Sequence, residues 1–347
     1  MKALLITPGV YTLTEALSAG LTENEADFKY VDYRKELSQL LNRLYDKTSG
    51  FPERINKKLK LYFYSQINKK YLQVFVEYQP DLVFIYNNQF VSPLTIKYFS
   101  DNHAKVIFQL GDNPLWSKTY EHNLEILEQA DLVICPDSYW KFELGMIGIP
   151  HVVCDFFGYS KKHFHKISQI PVKIEEKYRS ELLFIGRNYT GSAGYKRAKF
   201  LSCFTGRDFK LFGTREWVNW LGIFPELKSH FTRLEKRISH EELNQAFNCT
   251  KICPIDQNPG IIHGIHLRVF ESIGAGTLPL VEWRKDIDAV FGNLLPVIKE
   301  YSKLNQIARS FLESDQLREG TISVLQNFLE ENYTPRLYVK RILERVL

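Results

Sequence analysis

The residues best suited to chemistry lie in one run of the sequence, from His263 to Leu280. Within it, Arg268 and Glu271 are three positions apart, so on a helix they project from neighbouring faces of one turn. The free N–H groups and positive dipole at a helix start attract an anion, and the forked guanidinium of Arg268 is suited to bind a diphosphate. Glu271 can accept hydrogen bonds from both hydroxyls of a ribose. Spacing alone favours an ordinary surface Arg–Glu pair, so both interpretations stay open at this point.

Further polar residues follow predicted strands directly. Asp112 and Asp137 each come after a buried strand, where a general base would be placed, but both also suit helix N-capping. Gly9 and Tyr11 lie in the turn after the first strand, which is either a plain strand-to-helix turn or a ligand-binding loop. The turn lacks the glycine patterns of dinucleotide and ATP sites, so neither ligand is indicated.

A zinc site is the alternative use of the histidines. Cys249, Cys253, His263 and His266 superficially resemble a zinc finger, but their spacings differ from the usual ones and Cys253 lies within a predicted strand. We therefore predict no metal, and we expect the two histidines to be hydrogen-bonded or to face a substrate.

Short apolar runs alternate with helical stretches, which is typical of parallel sheets covered on both faces. The predicted strands are 3–7, 28–33, 82–86, 106–110, 132–135, 152–154, 181–185, 209–212, 251–255, 278–282 and 295–298. Helices are predicted at about 53–77 and 120–129, and from about 301 to the end. An aperiodic stretch at about 160–179 predicts a linker. The expected fold is α/β, with two doubly wound Rossmann-like domains, residues 1–165 and 166–332, facing a cleft.

Composition limits the partners and the compartment. The net charge of +5 is too small to indicate nucleic acid by itself and equally suits an anionic small molecule. Five scattered cysteines exclude a disulfide scaffold and favour a reducing compartment. No apolar stretch approaches the roughly 18–20 residues of a membrane span, and Pro8 and Gly9 interrupt the first apolar run. We therefore expect a cytoplasmic protein.

Several segments, in the same order, resemble the GT-B glycosyltransferases, and the closest likeness is to the CgeB-type (spore maturation) proteins. The pattern Arg-x-Phe-Glu-x-x-x-x-Gly at 268–276 resembles their C-terminal domain. The segments 184–188, 208–213, 106–114 and 332–336 resemble further family elements. The likeness covers most of residues 75–347.

The resemblance implies transfer of a sugar from a nucleotide-diphosphate sugar, with no cofactor besides this donor. Donor-binding residues would be Gly186, Arg187, Asn188, Lys196, Gly213, Thr214, His266, Arg268 and Glu271. Gly9, Tyr11 and Asp137 would bind the acceptor, which is a saccharide, a lipid-linked glycan or a protein. Asp112 is the first choice of general base and His263 the second. The final helix, 333–347, would pack back on the first domain.

One departure from the family pattern matters. Many retaining GT-B enzymes carry two glutamates eight positions apart, and His263 stands where the first would be. His266 replaces a glycine, whereas Glu271 keeps the place of the second glutamate. A GT-B-fold sugar-nucleotide epimerase and a non-catalytic nucleotide- or sugar-binding protein are therefore alternative functions.

A basic stretch, 54–70, with aromatic residues interleaved up to Tyr71, is open to two interpretations. It can contact an anionic membrane or an acidic acceptor. A solvated helix face whose aromatic residues lie in the core is the favoured interpretation.

Overall fold

The computed structural model describes residues 1–9, 12–47, 52–87, 89–115 and 123–347. The chain forms two compact units. Unit 1 comprises Met1–Phe157 and Pro335–Leu347, and unit 2 comprises Gly158–Thr334. The predicted boundary at residue 165 therefore lies inside unit 2. Within the described ranges, no helix is long and apolar enough to cross a membrane.

Unit 1 is built on a six-stranded parallel sheet. Its elements are β1 (Lys2–Ile6), α1 (Thr12–Glu23), β2 (Asp27–Val31), α2 (Tyr33–Glu36), α3 (Gln39–Asp46), α4 (Glu53–Tyr78), β3 (Leu82–Tyr86), α5 (Pro93–Asp101), β4 (Lys105–Gln109), α6 (Asn123–Glu128), β5 (Leu132–Cys135), α7 (Ser138–Met146) and β6 (Val152–Cys154). The strand order is β2-β1-β3-β4-β5-β6. The central strands are buried along nearly their whole length, which explains why their sequences are continuous apolar runs.

Unit 2 repeats this architecture. Its elements are α8 (Val172–Tyr178), β7 (Ser180–Ile185), α9 (Gly191–Ser202), β8 (Phe209–Gly213), α10 (Val218–Leu221), β9 (Phe231–Arg233), α11 (His240–Asn248), β10 (Thr250–Ile255), α12 (Leu267–Gly274), β11 (Leu278–Glu282), α13 (Lys285–Phe291), β12 (Val297–Ile298), α14 (Leu304–Leu312) and α15 (Asp315–Asn332). The strand order is β12-β11-β10-β7-β8-β9, all parallel. The predicted α/β class with two doubly wound sheets is confirmed.

Two segments differ from the sequence-based expectation. The predicted linker belongs to unit 2 and contains α8, whose seven residues are too few to show a helical period. Phe164 and Tyr178 are fully buried and hold this segment against unit 2. Strand β9 was not predicted, because its three residues lie at the sheet edge and are largely exposed.

The chain ends in α16 (Pro335–Val346), which belongs to unit 1. Tyr338, Val339 and Ile342 are buried in the same core cluster as Leu17 of α1. The helix is also held by charge, since Arg341 donates two hydrogen bonds to the buried Asp155, at 2.9 and 2.8 Å.

Candidate functional site

The candidate site lies at the carboxyl edge of the second sheet. β7 and β10 are neighbours, with β8 beyond one and β11 beyond the other, so the strand order reverses between β7 and β10. In open α/β sheets, ligands bind outside the carboxyl ends of the strands at such a reversal. Because all strands of this sheet are parallel, the loops after β7, β8, β10 and β11 meet at this edge.

The loop after β7 combines one exposed cation with a fixed backbone. The carbonyl of Gly186 accepts a hydrogen bond from Nε1 of Trp217 at 2.8 Å. Asn188 is buried and donates to the carbonyl of Gly194 at 3.3 Å. Arg187 between them is exposed. Of the three donor-binding residues predicted in this loop, Gly186 and Asn188 therefore make structural contacts. The guanidinium of Arg187 is accessible to solvent.

Gly213, at the end of β8, packs against the same tryptophan. A Cβ atom on Gly213 would overlap the Trp217 indole, so the position requires glycine. Thr214 follows it and begins a 3₁₀ turn over Arg215–Trp217. The N–H of Leu234 donates to the Gly213 carbonyl at 2.7 Å. This bond brings the loop after β9 to the same edge of the sheet.

A buried ion pair connects the loops after β7 and β10. Nε of Arg197 lies 2.7 Å from Oδ2 of Asp256, and both side chains are more than nine-tenths buried. Arg197 also donates to the carbonyl of Arg187 at 2.7 Å and lies over the ring of Tyr189, 4.3 Å from its centroid. Burial raises the pKa of Asp256, and the Arg197 guanidinium opposes that shift. The pair therefore fixes the backbone at the strand reversal.

Asp256 and the next residue each keep one buried polar atom without a hydrogen bond among the described residues. These atoms are Oδ1 of Asp256 and Nε2 of Gln257. The other end of the Gln257 side chain accepts from the N–H of His266 at 3.1 Å, which links the β10 loop to α12. An acceptor and a donor left over at a sheet edge are groups that a polar ligand or an ordered water satisfies.

Lys196, predicted to bind the donor, lies in an ion pair. Its Nζ is 2.6 Å from Oε1 of Glu282, at the end of β11. Arg284 and Tyr301 also donate to this carboxylate, at 3.0 and 2.7 Å. Burial alone would raise the pKa of Glu282, but the Lys196 hydrogen bond and the charges of Arg284 and Lys196 outweigh it and lower the pKa. The half-exposed Lys196 thus lies at the carboxyl edge of the second sheet, and the Glu282 carboxylate partly neutralises its charge.

His266 caps the helix that carries the predicted pair. Its Nδ1 accepts a hydrogen bond from the N–H of Arg268 at 3.0 Å, at the N-terminus of α12. Burial, followed by the charges of Arg268 and Arg197, lowers the pKa of His266 to about 3. The imidazole is therefore neutral near pH 7, and because Nδ1 accepts, Nε2 carries the proton.

Arg268 is fixed by the first strand of the unit. Its Nη1 donates to the carbonyl of Ile185 at 2.6 Å, and its guanidinium lies over the ring of Phe247, 5.8 Å from the centroid. Among the described residues, no ion-pair contact within 4 Å joins Arg268 to Glu271. The ordinary surface pair that the spacing alone favours is therefore not formed.

Glu271 is a buried carboxylate, 7 % exposed. In the part of the chain that the structure describes, no side chain or backbone group hydrogen-bonds or ion-pairs with it. Burial raises the pKa of Glu271, and the charges of Arg268 and Arg237 partly oppose the shift. Arg237 is exposed in the loop after β9, which Leu234 anchors to this edge. The site thus contains a buried acceptor with two guanidinium groups near enough to influence it.

In unit 1, the predicted acceptor residues lie at the carboxyl edge of the first sheet. Gly9 follows β1, and its N–H donates to Oδ2 of the buried Asp32 at 3.0 Å. Asp112 is exposed and accepts from Nδ2 of Asn87 at 3.2 Å. Tyr11 lies outside the described residues. An exposed carboxylate at a strand end remains compatible with the role predicted for Asp112.

Asp137 has a structural task. It is fully buried and caps α7, accepting from the N–H of Tyr139 at 2.7 Å and of Trp140 at 3.4 Å. Capping therefore accounts for the contacts of one of its oxygens, and its role toward an acceptor stays a prediction.

The four residues of the zinc alternative do not converge. No group of three or more metal-binding side chains occurs among the described residues, which include Cys249, Cys253, His263 and His266. Burial raises the pKa of Cys249 to about 11 and of Cys253 to about 12, so zinc binding would have to release a proton from each thiol. His263 is half-buried in the loop before α12, and its carbonyl accepts from the N–H of Asp286 at 3.0 Å.

Sequence reasoning missed Arg197, Asp256, Gln257 and Arg237. A signal existed for Asp256, since it directly follows a buried strand, as Asp112 and Asp137 do. The role of Arg197 has no local signal, because its partner lies 59 positions away.

Comparison with known proteins shows what the second half of the chain resembles. Residues 196–344 match the family model Glyco_trans_1_2, described as glycosyl transferase-like. The match includes Lys196, His266, Arg268 and Glu271. No curated protein matches the sequence of the chain.

Solved structures resemble the chain over its whole length. Sucrose-phosphate synthase from Thermosynechococcus elongatus has a TM-score of 0.66 at 9% identity, over 100% of this chain and 99% of that one. The E. coli trehalose-6-phosphate protein bound with UDP-2-fluoro glucose has a TM-score of 0.64 at 9% identity, over 100% and 99%. A putative UDP-N-acetylglucosamine 2-epimerase from Listeria monocytogenes has a TM-score of 0.59 at 12% identity, over 99% and 94%. At these identities the likeness shows the fold, which is that of GT-B proteins.

Proposed function

We propose that the protein is a glycosyltransferase that moves a sugar from a nucleotide-diphosphate sugar to an acceptor, and that unit 2 binds the donor. The observation that carries the proposal is Glu271, a buried carboxylate without a partner among the described residues, located in the second turn of α12. A carboxylate in this state is costly to fold, so a ligand that supplies hydroxyl donors is the simplest reason for its presence.

The cationic groups at this edge suit the diphosphate. Arg268 uses one guanidinium nitrogen to bind the Ile185 carbonyl, which holds the group in place and leaves further N–H donors. Arg187 is exposed, and Lys196 can exchange its partner Glu282 for a phosphate. Because the sugar–phosphate bond breaks during transfer, stabilising the departing diphosphate lowers the barrier. In this proposal side-chain cations and the α12 N-terminus do so without a metal ion.

The remaining roles follow the family likeness. We propose Asp112 as general base, with His263 as second choice, and Gly9, Tyr11 and Asp137 near the acceptor. We also propose the CgeB-type subfamily, on the order of the sequence motifs, and a cytoplasmic location, on the five scattered cysteines that favour a reducing compartment. The histidine in place of the first glutamate separates this chain from the usual retaining pattern.

The proposal is tested by ligand screening followed by product analysis. UDP-glucose and UDP-N-acetylglucosamine are suitable first donors, because one fold neighbour is bound with a UDP-glucose analogue and another is named for UDP-N-acetylglucosamine. We expect a nucleotide sugar to raise the melting temperature, and free nucleotide to be released slowly to water in the absence of acceptor. Both effects are expected to persist in excess chelator.

Each alternative has its own outcome. Conversion of the donor sugar to an isomer without released nucleotide would identify an epimerase. Binding without any turnover would identify a binding protein. If no nucleotide sugar shifts the melting temperature, the donor site is wrongly assigned.

A further inference from the structure

The outer face of α4 differs from an ordinary solvated helix face. From residue 54 to residue 76 the helix contains six lysine and arginine residues and no aspartate or glutamate. Arg54, Lys58 and Lys69 are exposed, and no acidic side chain lies within 4 Å of them in the described part of unit 1. A solvated face normally mixes both signs of charge, because Glu–Lys pairs stabilise a helix.

Apolar side chains share this exposed face. Leu61, Tyr62 and Val76 are 52 %, 55 % and 55 % exposed. They lie three, four or seven positions from Lys58 and Lys69, which places them on the same side of the helix. Ile55 in the first turn is also about half exposed. We call these residues, with the three cations, the α4 outer face.

The sequence-based interpretation of this stretch was partly right. Phe63 and Tyr71 lie in the core, as expected of a solvated helix with buried aromatic residues. Asn68 and Tyr71 also anchor the helix by donating to the carbonyls of Phe90 and Gln89, both at 2.9 Å. These contacts fix the orientation of the α4 outer face relative to the rest of unit 1. The apolar members of this face are not needed for the core.

A neighbouring helix also exposes apolar side chains. Leu40 and Leu44 of α3 are one turn apart and are 68 % and 38 % exposed. α3 is joined to α4 by stacking of Tyr45 on Phe63, with ring centroids 4.1 Å apart. Exposed apolar side chains grouped on neighbouring helices are typical of interaction sites.

We propose that the α4 outer face docks unit 1 on an anionic lipid surface. Helix α4 has 26 residues and is about 39 Å long, so it can lie along a membrane plane. Lysine and arginine attract anionic headgroups while aliphatic side chains enter the headgroup boundary. The aliphatic content distinguishes this surface from a nucleic-acid site, where phosphate contacts and base stacking would favour arginine and aromatic residues.

Flotation of the full chain with lipid vesicles tests the proposal. We expect binding to vesicles of phosphatidylcholine mixed with phosphatidylglycerol, little binding to phosphatidylcholine alone, and weakening by salt. The triple variant Arg54→Gln, Lys58→Gln, Lys69→Gln should bind about a hundredfold more weakly, since each cation near the surface contributes about fivefold. The matched control neutralises the exposed lysines Lys141, Lys173 and Lys228 and should bind like the wild type.

A second variant tests the apolar contribution. Leu61→Ser with Tyr62→Ser removes two exposed side chains, so the fold is expected to persist, as circular dichroism can verify, while vesicle binding weakens. Equal binding to neutral and anionic vesicles would overturn the proposal. An equal loss in the control triple variant would also overturn it, as would binding to duplex DNA but not to vesicles.

Discussion

The buried charge of Glu271 lowers the stability of the fold, whereas the proposed donor site needs that charge. The pKa of Glu271 is raised by burial, so its charged form is disfavoured in the folded state. The folded state is therefore relatively more stable at low pH and loses that advantage as the pH rises above the ordinary glutamate pKa. A structural ion pair would show the opposite dependence, because pairing lowers the pKa of a carboxylate.

The first prediction separates the effect of the Glu271 charge on stability from its effect on binding. Glu271→Gln keeps the shape but removes the charge, so the free energy of unfolding at neutral pH should stay equal or rise. Nucleotide affinity should nevertheless fall about tenfold or more, since hydrogen bonds to charged groups contribute about 1.5–3 kcal/mol each. Calorimetric titration with UDP and uridine, together with thermal melts, measures both quantities.

Arg268→Lys provides the complementary measurement. Lysine keeps the charge but lacks the fork, which donates to the Ile185 carbonyl and in the proposed site would also bind a phosphate. UDP affinity should fall while uridine affinity changes little. The matched control is the exposed pair Arg309 and Glu313, 2.6 Å apart at the C-terminal end of α14, changed to Lys and Gln. If the control and site variants behave alike, the donor-site assignment fails.

The second prediction concerns His266. Because its pKa is lowered to about 3, the unfolded state binds a proton as the pH falls below about 6.5, whereas the folded state does not. The wild type should therefore lose about 2 kcal/mol relative to His266→Asn between pH 8 and pH 5. Asparagine preserves N-capping and does not titrate. Urea unfolding at both pH values measures the difference, and parallel pH profiles would contradict the prediction.

At the residue scale, the sequence indicated which residues form the candidate site but not which contacts they make. The three-residue spacing correctly predicted that Arg268 and Glu271 share a helical turn. Whether they pair depends on Ile185, 83 positions away from Arg268, and on the burial of Glu271. Such long-range contacts leave no local pattern. The same limit explains why Arg197 was missed.

Elements were easier to predict than contacts. The strands 82–86, 132–135 and 278–282 have the predicted bounds, because central parallel strands are continuous apolar runs. The edge strand 152–154 also has the predicted bounds, since its three residues are apolar. The edge strand β9 and the short helix α8 lack such a run or period. The return of α16 to unit 1 was implied only by family likeness.

The third prediction tests how α16 is seated. A Cβ atom on Gly20 of α1 would overlap the carbonyl of Pro335 and the side chain of Val339. Gly20→Ala should therefore lower the free energy of unfolding by about 1–3 kcal/mol, because backbone must move. Gly145→Ala in α7 is the matched control, since nothing lies within 4 Å of its added Cβ. That change should raise stability by about 0.5–1 kcal/mol. Equal melting temperatures for the two variants would refute the α1–α16 packing argument.

At the scale of the whole molecule, the chain crosses between the two units twice. Unit 1 is completed by residues 335–347, although the intervening residues 158–334 form unit 2. The core of unit 1 therefore requires the last residues of the chain. The core of unit 2 is drawn from one continuous segment.

The fourth prediction uses this division to locate the nucleotide. Ile342 on α16 is buried in unit 1 and Leu325 on α15 is buried in unit 2, so replacing either by alanine should cost about 2–5 kcal/mol. In scanning calorimetry, we expect each variant to lower a different one of two transitions. A nucleotide at about a hundred times its Kd stabilises the unit that binds it by about 2.7 kcal/mol. UDP should therefore raise the transition that Leu325→Ala lowers and leave the other nearly unchanged. If UDP instead raises the transition that Ile342→Ala lowers, the nucleotide binds unit 1, and the assignment of Arg268 and Glu271 to the donor is wrong.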